Sequence, residues 1–279
     1  MLAENNYGKS GIRLVKLLRR PDRHEIRDLT VAVRFEGDFG AAHAAGDNSG
    51  VLPTDTMKNT VYALAADHPL DSIESFGLRL SEHFLTGNAN VSRVGIDISE
   101  QAWDRLETSG RPHPHAFERA GEERGTTGIA RDRSGARVES GLDDLRILKS
   151  ADSGFAGFRK DRYTTLRDTR DRIFATALKA VWQYAQSDLP FGELRESIRS
   201  TLLQTFAGHE SASVQHTLHA MGEAVLSRHP EVAQIRLSLP NKHHLPVDLS
   251  PFGLENRNEI FVATEEPYGL IEATLKRIP

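Results

Sequence analysis

The chain of 279 residues contains a copy of part of itself. Ile73, Leu80, Phe84, Val94 and Ile98 meet Val214, Met221, Val225, Ile235 and Leu239 at one constant separation of 141 residues. The same separation pairs Thr60 with Thr201, Ala66 with Ala207, His68 with His209 and Ser72 with Ser213. A gap-free repeat of this length constrains the fold strongly, because each copy must be one supersecondary unit packed in the same way.

The period of the apolar residues says what that unit is. Leu29, Val31, Val33 and Phe35 alternate with polar or small residues, the pattern of a half-buried strand. Ile12 and Leu14 begin a similar run that breaks down toward Arg19, and Pro21-Asp22 between the two runs reads as a hairpin turn. Asp71 and Glu74 are spaced as a capping box with Asp71 at the cap. Ile73, Phe76, Leu80 and Phe84 then predict a helix, and Val94, Ile96 and Ile98 a strand. In the second copy Val214, Thr217, Met221 and Val225 predict a helix, and Ile235, Leu237 and Leu239 a strand that stops at Pro240. The expected class is α+β. Two tandem units, residues 1–136 and 137–279, each hold a hairpin, a helix pair and a further strand, with the helices on one face of an antiparallel sheet. The polar stretch Gly135 to Asp144 lies close to the join. Units of this kind leave sheet edges open, which favours an oligomer that closes a barrel through its subunits.

A net charge of −4 argues against nonspecific nucleic-acid binding, which depends on clustered positive charge. No apolar run is long enough for a transmembrane helix, and the polar start MLAENNYGKS lacks a signal core. There is no cysteine, and the end LKRIP is not a peroxisomal SKL tail. A cytoplasmic location is expected. No Gly-rich phosphate loop of Walker or dinucleotide type occurs, which disfavours NAD, flavin and ATP. His113 and His115, and the adjacent His243 and His244, lack an HExxH frame or a cysteine to assist them, so no metal is expected.

Several clusters could carry chemistry. Arg172 precedes Ile173 and Phe174, where a strand begins, and its fork of donors suits a planar anionic lactam or carboxylate; it also fits a surface arginine. Phe155 could stack on a flat ring or belong to a core. Gln215, near a helix start, offers a donor and an acceptor to a heterocycle edge, or to solvent. Thr54 and Asp55 precede a helical stretch, as a helix cap would. Lys9 in Tyr7-Gly8-Lys9 becomes a base only if a partner depresses its pKa. Asn241, Lys242, His243 and His244 follow Pro240 directly, more polar chemistry than a connecting loop requires.

Taken in order, these segments resemble the urate oxidase (uricase) family over nearly the whole chain. The resemblance is carried by YGK at 7–9, LPTDTMKNT at 52–60, RPHPHAF at 111–117 and FxGFxxDxYTTLxxTxDR at 155–172. It continues through SASVQ at 211–215, SLPNKHH at 238–244 and PYGLI at 267–271. Ala156 and Arg170 stand where tryptophan is common in eukaryotic members; with the missing SKL tail, this points to a bacterial, cytoplasmic member.

The resemblance implies the tunnelling fold, with two antiparallel units per chain, a homotetramer and active sites at subunit interfaces. It implies oxidation of urate by O2 and water to 5-hydroxyisourate and H2O2, without cofactor or metal. Arg172 would grip one urate edge, Gln215 the opposite edge, and Phe155 would stack on the ring. Val214 and Asp55 would supply backbone contacts. Lys9, Thr54 and His243 would relay protons, while Asn241 and Thr54 would hold O2 and then water over the ring. Pro240 would aim Asn241 and His243, leaving Lys242 and His244 in supporting or solvated roles. Two other readings are a pterin-acting enzyme of the same fold and a non-catalytic purine-binding oligomer.

Overall fold

The computed structural model describes residue 2 and residues 4–277. It divides into two compact units, residues 1–141 with 183–195, and residues 142–182 with 196–279.

The first unit begins with strands β1 (Asn6–Arg19) and β2 (His24–Gly37), joined by a turn in which Arg20 N donates to Arg23 O at 3.0 Å. A short helix α1 (Gly40–Ala45) leads to α2 (Thr54–Asp67) and α3 (Ile73–Gly87). Long strands β3 (Val91–Thr108) and β4 (Arg111–Asp132) follow, and β5 (Gly135–Lys149) crosses the division between the units. The strand order is β1-β2-β3-β4, continued by β5, and β1 to β4 pair antiparallel. Leu29, Val31, Val33 and Phe35 are buried almost completely, as their alternation demands. Helix α3 packs on β3 and β4, and α2 on β1.

The second unit holds most of β6 (Phe174–Tyr184) and of α4 (Phe191–Gly208). It also holds α5 (Val214–Arg228), β7 (Val232–Lys242), the short pair β8 (His244–Pro246) and β9 (Phe261–Ala263), and β10 (Gly269–Lys276). After β5 the order is β6-β7-β10, and α5 packs on β7 and β10. The first unit's ladder ends at β1 and the second's at β10.

The repeat reappears at the starts and ends of the helices. Ser72 caps α3 by accepting from Ser75 N at 3.0 Å, and Ser213 caps α5 by accepting from His216 N at 3.1 Å. Lys16 on β1 donates to Ala65 O at 2.6 Å and to His68 O beyond the end of α2, while Lys149 on β5 donates to His209 O beyond the end of α4. Both ammonium groups meet the carbonyl-rich end of a helix, where a cation is favoured.

Three expectations are corrected. The cap of α3 is Ser72, not Asp71; Glu74 is not a capping partner but a buried group bonded to Ser140 and Arg195. β1 does not break down but pairs with β2 as far as Arg19, because ladder hydrogen bonds rather than burial hold it. Gly135 to Asp144 forms part of strand β5, and the division between the units at 141/142 falls within it. β7 continues through Pro240 to Lys242, with Pro240 opposite Leu270 and Asn241 opposite Gly269. One missing N–H near the end of the strand is tolerated there.

Candidate active site

In the first unit, Lys9 lies on β1 and Thr54 begins α2. A Cβ on Gly8 would stand 1.9 Å from Val33 O, so only glycine allows β1 to lie this close to β2 here. The register then shifts between Lys9 and Ile12, directly after the lysine. Tyr7 packs edge-on against Phe35 and Phe39 and accepts from Leu52 N at 3.0 Å, which ties the YGK segment to the approach to Thr54. Burial raises the Tyr7 pKa, with the Leu52 hydrogen bond acting the other way, so the phenol stays protonated.

Thr54 is the first residue of α2, and the cap position is Pro53 with no side-chain cap bond. The helix-cap reading of Thr54 and Asp55 is therefore wrong. Asp55 instead accepts from Lys58, and from Asn59 at 3.0 Å. The Lys58 ammonium lowers the Asp55 pKa most, with smaller contributions in the same direction from Asn59 and Lys9.

In the second unit, the segment between β5 and β6 is laced to the approach to α5. Gly154 N donates to Ser211 O at 2.7 Å, and Ser211 N donates to Asp152 O at 2.8 Å. Arg172 N donates to Ser153 O at 2.9 Å, while Phe155 and Thr169 exchange both backbone bonds. Ser211 Oγ reaches Ser213 O at 3.0 Å, one residue before Val214 and two before Gln215. A short backbone ladder thus ties the segments that carry Phe155 and Arg172 to the approach to α5.

The Arg172 guanidinium lies 5.5 Å from the centre of the Phe155 ring. Its Nε is buried without a hydrogen-bond partner, and burial lowers its pKa from the ordinary arginine value. It stays cationic, and its unpartnered Nε–H leaves a donor that a planar anion can meet. Val214 is buried in the first turn of α5, and Gln215 beside it is exposed. Asn241 is buried at the end of β7. His243 sits in the one-residue gap between β7 and β8, where its carbonyl accepts from Thr264 N at 2.8 Å. No contact joins Asn241 or His243 to the Phe155–Arg172 pair among the described residues.

Sequence reasoning gave no role to three neighbours. Phe158 stacks on Phe155 with centroids 4.9 Å apart and planes 8° apart. Ser211 and Thr264 hold backbone that carries assigned residues, and a backbone bond leaves no signal in side-chain type. An open cleft of about 820 Å³ lies beside Phe155, lined also by His209, Ser211 and His216; of the residues assigned to substrate, only Phe155 lines it. Among the described residues, no group of three or more His, Cys, Asp or Glu is placed to hold a metal ion. No helix among them is long and apolar enough to cross a membrane.

The chain is of the antiparallel, two-unit α+β class, with a half-buried arginine over an aromatic ring. The family model named Uricase matches residues 5–130 and 138–272. The uricase of Arthrobacter globiformis is 46% identical over 277 residues, covering 99% of this chain and 90% of that one. That of Dictyostelium discoideum is 40% identical over 280 residues, covering 99% and 97%. The crystal structure of the Arthrobacter globiformis uricase superposes with a TM-score of 0.95 over 99% of this chain and 95% of that one. A Bacillus fastidious uricase structure, at 23% identity, shares the fold with a TM-score of 0.84 over 98% of this chain and 93% of that one. The chain belongs to the uricase family.

Proposed function

We propose that this protein oxidises urate with O2 and water to 5-hydroxyisourate and H2O2, using no cofactor and no metal, as a step in purine degradation toward allantoin. The observation that carries the reading is Arg172, a half-buried arginine with a buried, unpartnered Nε beside the Phe155 ring, on a segment laced to the approach to the Val214–Gln215 helix start.

The chemistry follows from the substrate. Urate is electron-rich, more so as a dianion, and can donate electrons to O2 once a second proton leaves. Arg172 supplies the fixed counter-charge that favours this anion, and Gln215 fixes the opposite edge. Phe155 supports the ring face; Val214 and Asp55 offer backbone contacts. Lys9, Thr54 and His243 move the protons, the hydroxyl passing them between the two nitrogen bases. Asn241 and Thr54 hold O2, then the water that adds to the oxidised ring. Orientation and proton transfer are then all the protein has to supply.

The assembly belongs to the same proposal. Lys9, Thr54 and Asp55 come from the first unit of one chain and Phe155, Arg172, Val214, Gln215, Asn241 and His243 from the second unit of its neighbour, in a homotetramer. Two features support it: ladders that end at open strands β1 and β10, and exposed Phe252, Leu254, Ile260, Val262 and Leu270 near the end of the chain.

Loss of urate absorbance, measured together with O2 uptake in the presence of excess chelator, tests the reaction. Equimolar consumption of urate and O2 that survives chelation is expected. Urate binding without turnover, or activity lost on chelation and restored by one metal, would overturn it.

A further inference from the structure

The repeat sets Glu74 opposite Gln215, and Ile73 opposite Val214, 141 positions apart. The two helix starts are capped alike by Ser72 and Ser213. The first unit therefore holds a counterpart of the helix turn read above as a substrate edge, in quite different surroundings. Glu74 is 0% exposed. Its Oε1 accepts from Ser140 Oγ and from Arg195 Nη2, while Oε2 is buried with no hydrogen-bond partner. Arg195 Nη1 continues to Glu100 Oε2 at 3.5 Å, and Arg27 Nη2 donates to that same oxygen at 3.2 Å. Gly125 leaves the necessary room, since a Cβ there would stand 2.7 Å from Arg195 Nη1.

We propose that this is a second heterocycle-edge site, one that the chain fills with its own arginine. A guanidinium is planar and presents adjacent N–H donors, the shape of the amidine edge of a flat heterocycle. A carboxylate at position 74 suits such a cation. The amide at position 215 instead offers one donor and one acceptor, which suits a lactam edge. One residue type at equivalent helix positions thus separates a site kept for an external ligand from one closed by an internal ligand. Two repeats then yield one substrate site per chain. The comparison rests on the urate reading of Gln215, but the filled site can be tested without urate.

Arg195→Ala removes the plug and strands a buried carboxylate, which is strongly destabilising. The cavity it leaves should accept free guanidinium, and a ligand that binds only the folded state raises the melting temperature. Melting is measured for Arg195→Ala with and without about 20 mM guanidinium chloride, with tetramethylammonium chloride as the control salt. Guanidinium should restore at least half of the lost melting temperature, and the control salt should not. The double variant Glu74→Gln with Arg195→Ala, which lacks the stranded charge, should melt above Arg195→Ala and ignore guanidinium. No cation-specific recovery, or equal recovery in the double variant, overturns the proposal. If Arg195→Ala gives no soluble protein, refolding yield becomes the readout: soluble protein only with guanidinium supports the site, and none under either condition refutes it. Failure of the urate reading would show separately, as an unchanged KM for urate in Gln215→Leu.

Discussion

Arg172 and Lys9 both bring positive charge to the proposed chemistry, but for different ends, and substitution separates them. Arg172→Ala removes a paired ionic contact and should weaken binding of a purine-like inhibitor severely. Lys9→Met and Thr54→Ala should leave inhibitor affinity nearly intact and lower turnover by roughly 10²–10⁴-fold, the usual worth of a general acid or base. Parallel inhibitor titrations and turnover assays check this division; equal loss of affinity in all three variants contradicts it. A second residue-level outcome concerns His229, whose Nε2 lies 3.2 Å from Thr201 Oγ1. Burial lowers its pKa from 6.5, so below that value the unfolded chain binds the proton more readily than the native one. Its stabilising effect is complete above pH 6.5 and is lost as pH falls toward the lower native value. His229→Asn installs what the first unit carries at the equivalent position, Asn88, which bonds Phe84 O at 2.8 Å. Melting curves from pH 7 downward should show a shallower acid loss in the variant; an unchanged slope would mean that other groups cause it.

Helices α3 and α5 begin with the same cap, and the cap can be weighed in each. Ser72→Ala and Ser213→Ala should each cost about 1 kcal/mol in denaturant unfolding. Only Ser213→Ala should also raise the KM for urate, because only its helix carries Val214 and Gln215. A matching rise in Ser72→Ala would separate KM from that helix start. These elements also mark what the sequence made legible. The 141-residue repeat contained the caps as the pair Ser72 and Ser213, while spacing alone favoured Asp71 because Asp and Glu three apart satisfy the box pattern equally well. Proline at 240 read as a stop, since local chemistry forbids one donor; the pairing of β7 with β10 carried the strand two residues further. The residues of the YTTL and SLPNKHH segments were legible as a set, but the backbone ladder through Ser153 and Ser211 that joins Phe155, Arg172 and α5 depends on distant carbonyls and leaves no side-chain pattern.

A chain of two open-edged units, with its proposed proton-relay residues in both and its ring-gripping residues in the second, makes physical sense as part of a larger assembly. The two-unit α+β character was readable because period-2 and period-3.6 patterns recur at fixed separation. The division itself is not a single cut, since residues 183–195 belong to the first unit. The central claim is that one chain's Thr54 works with its neighbour's Arg172. Thr54→Ala and Arg172→Ala protein, each nearly inactive, are mixed in equal amounts and co-refolded, with subunit exchange confirmed by mass spectrometry. A site needs an intact relay from one chain and an intact grip from the other, so random assembly should return roughly a quarter of wild-type urate turnover. Confirmed exchange with no activity above either parent would place both halves of the site in a single chain and contradict the account.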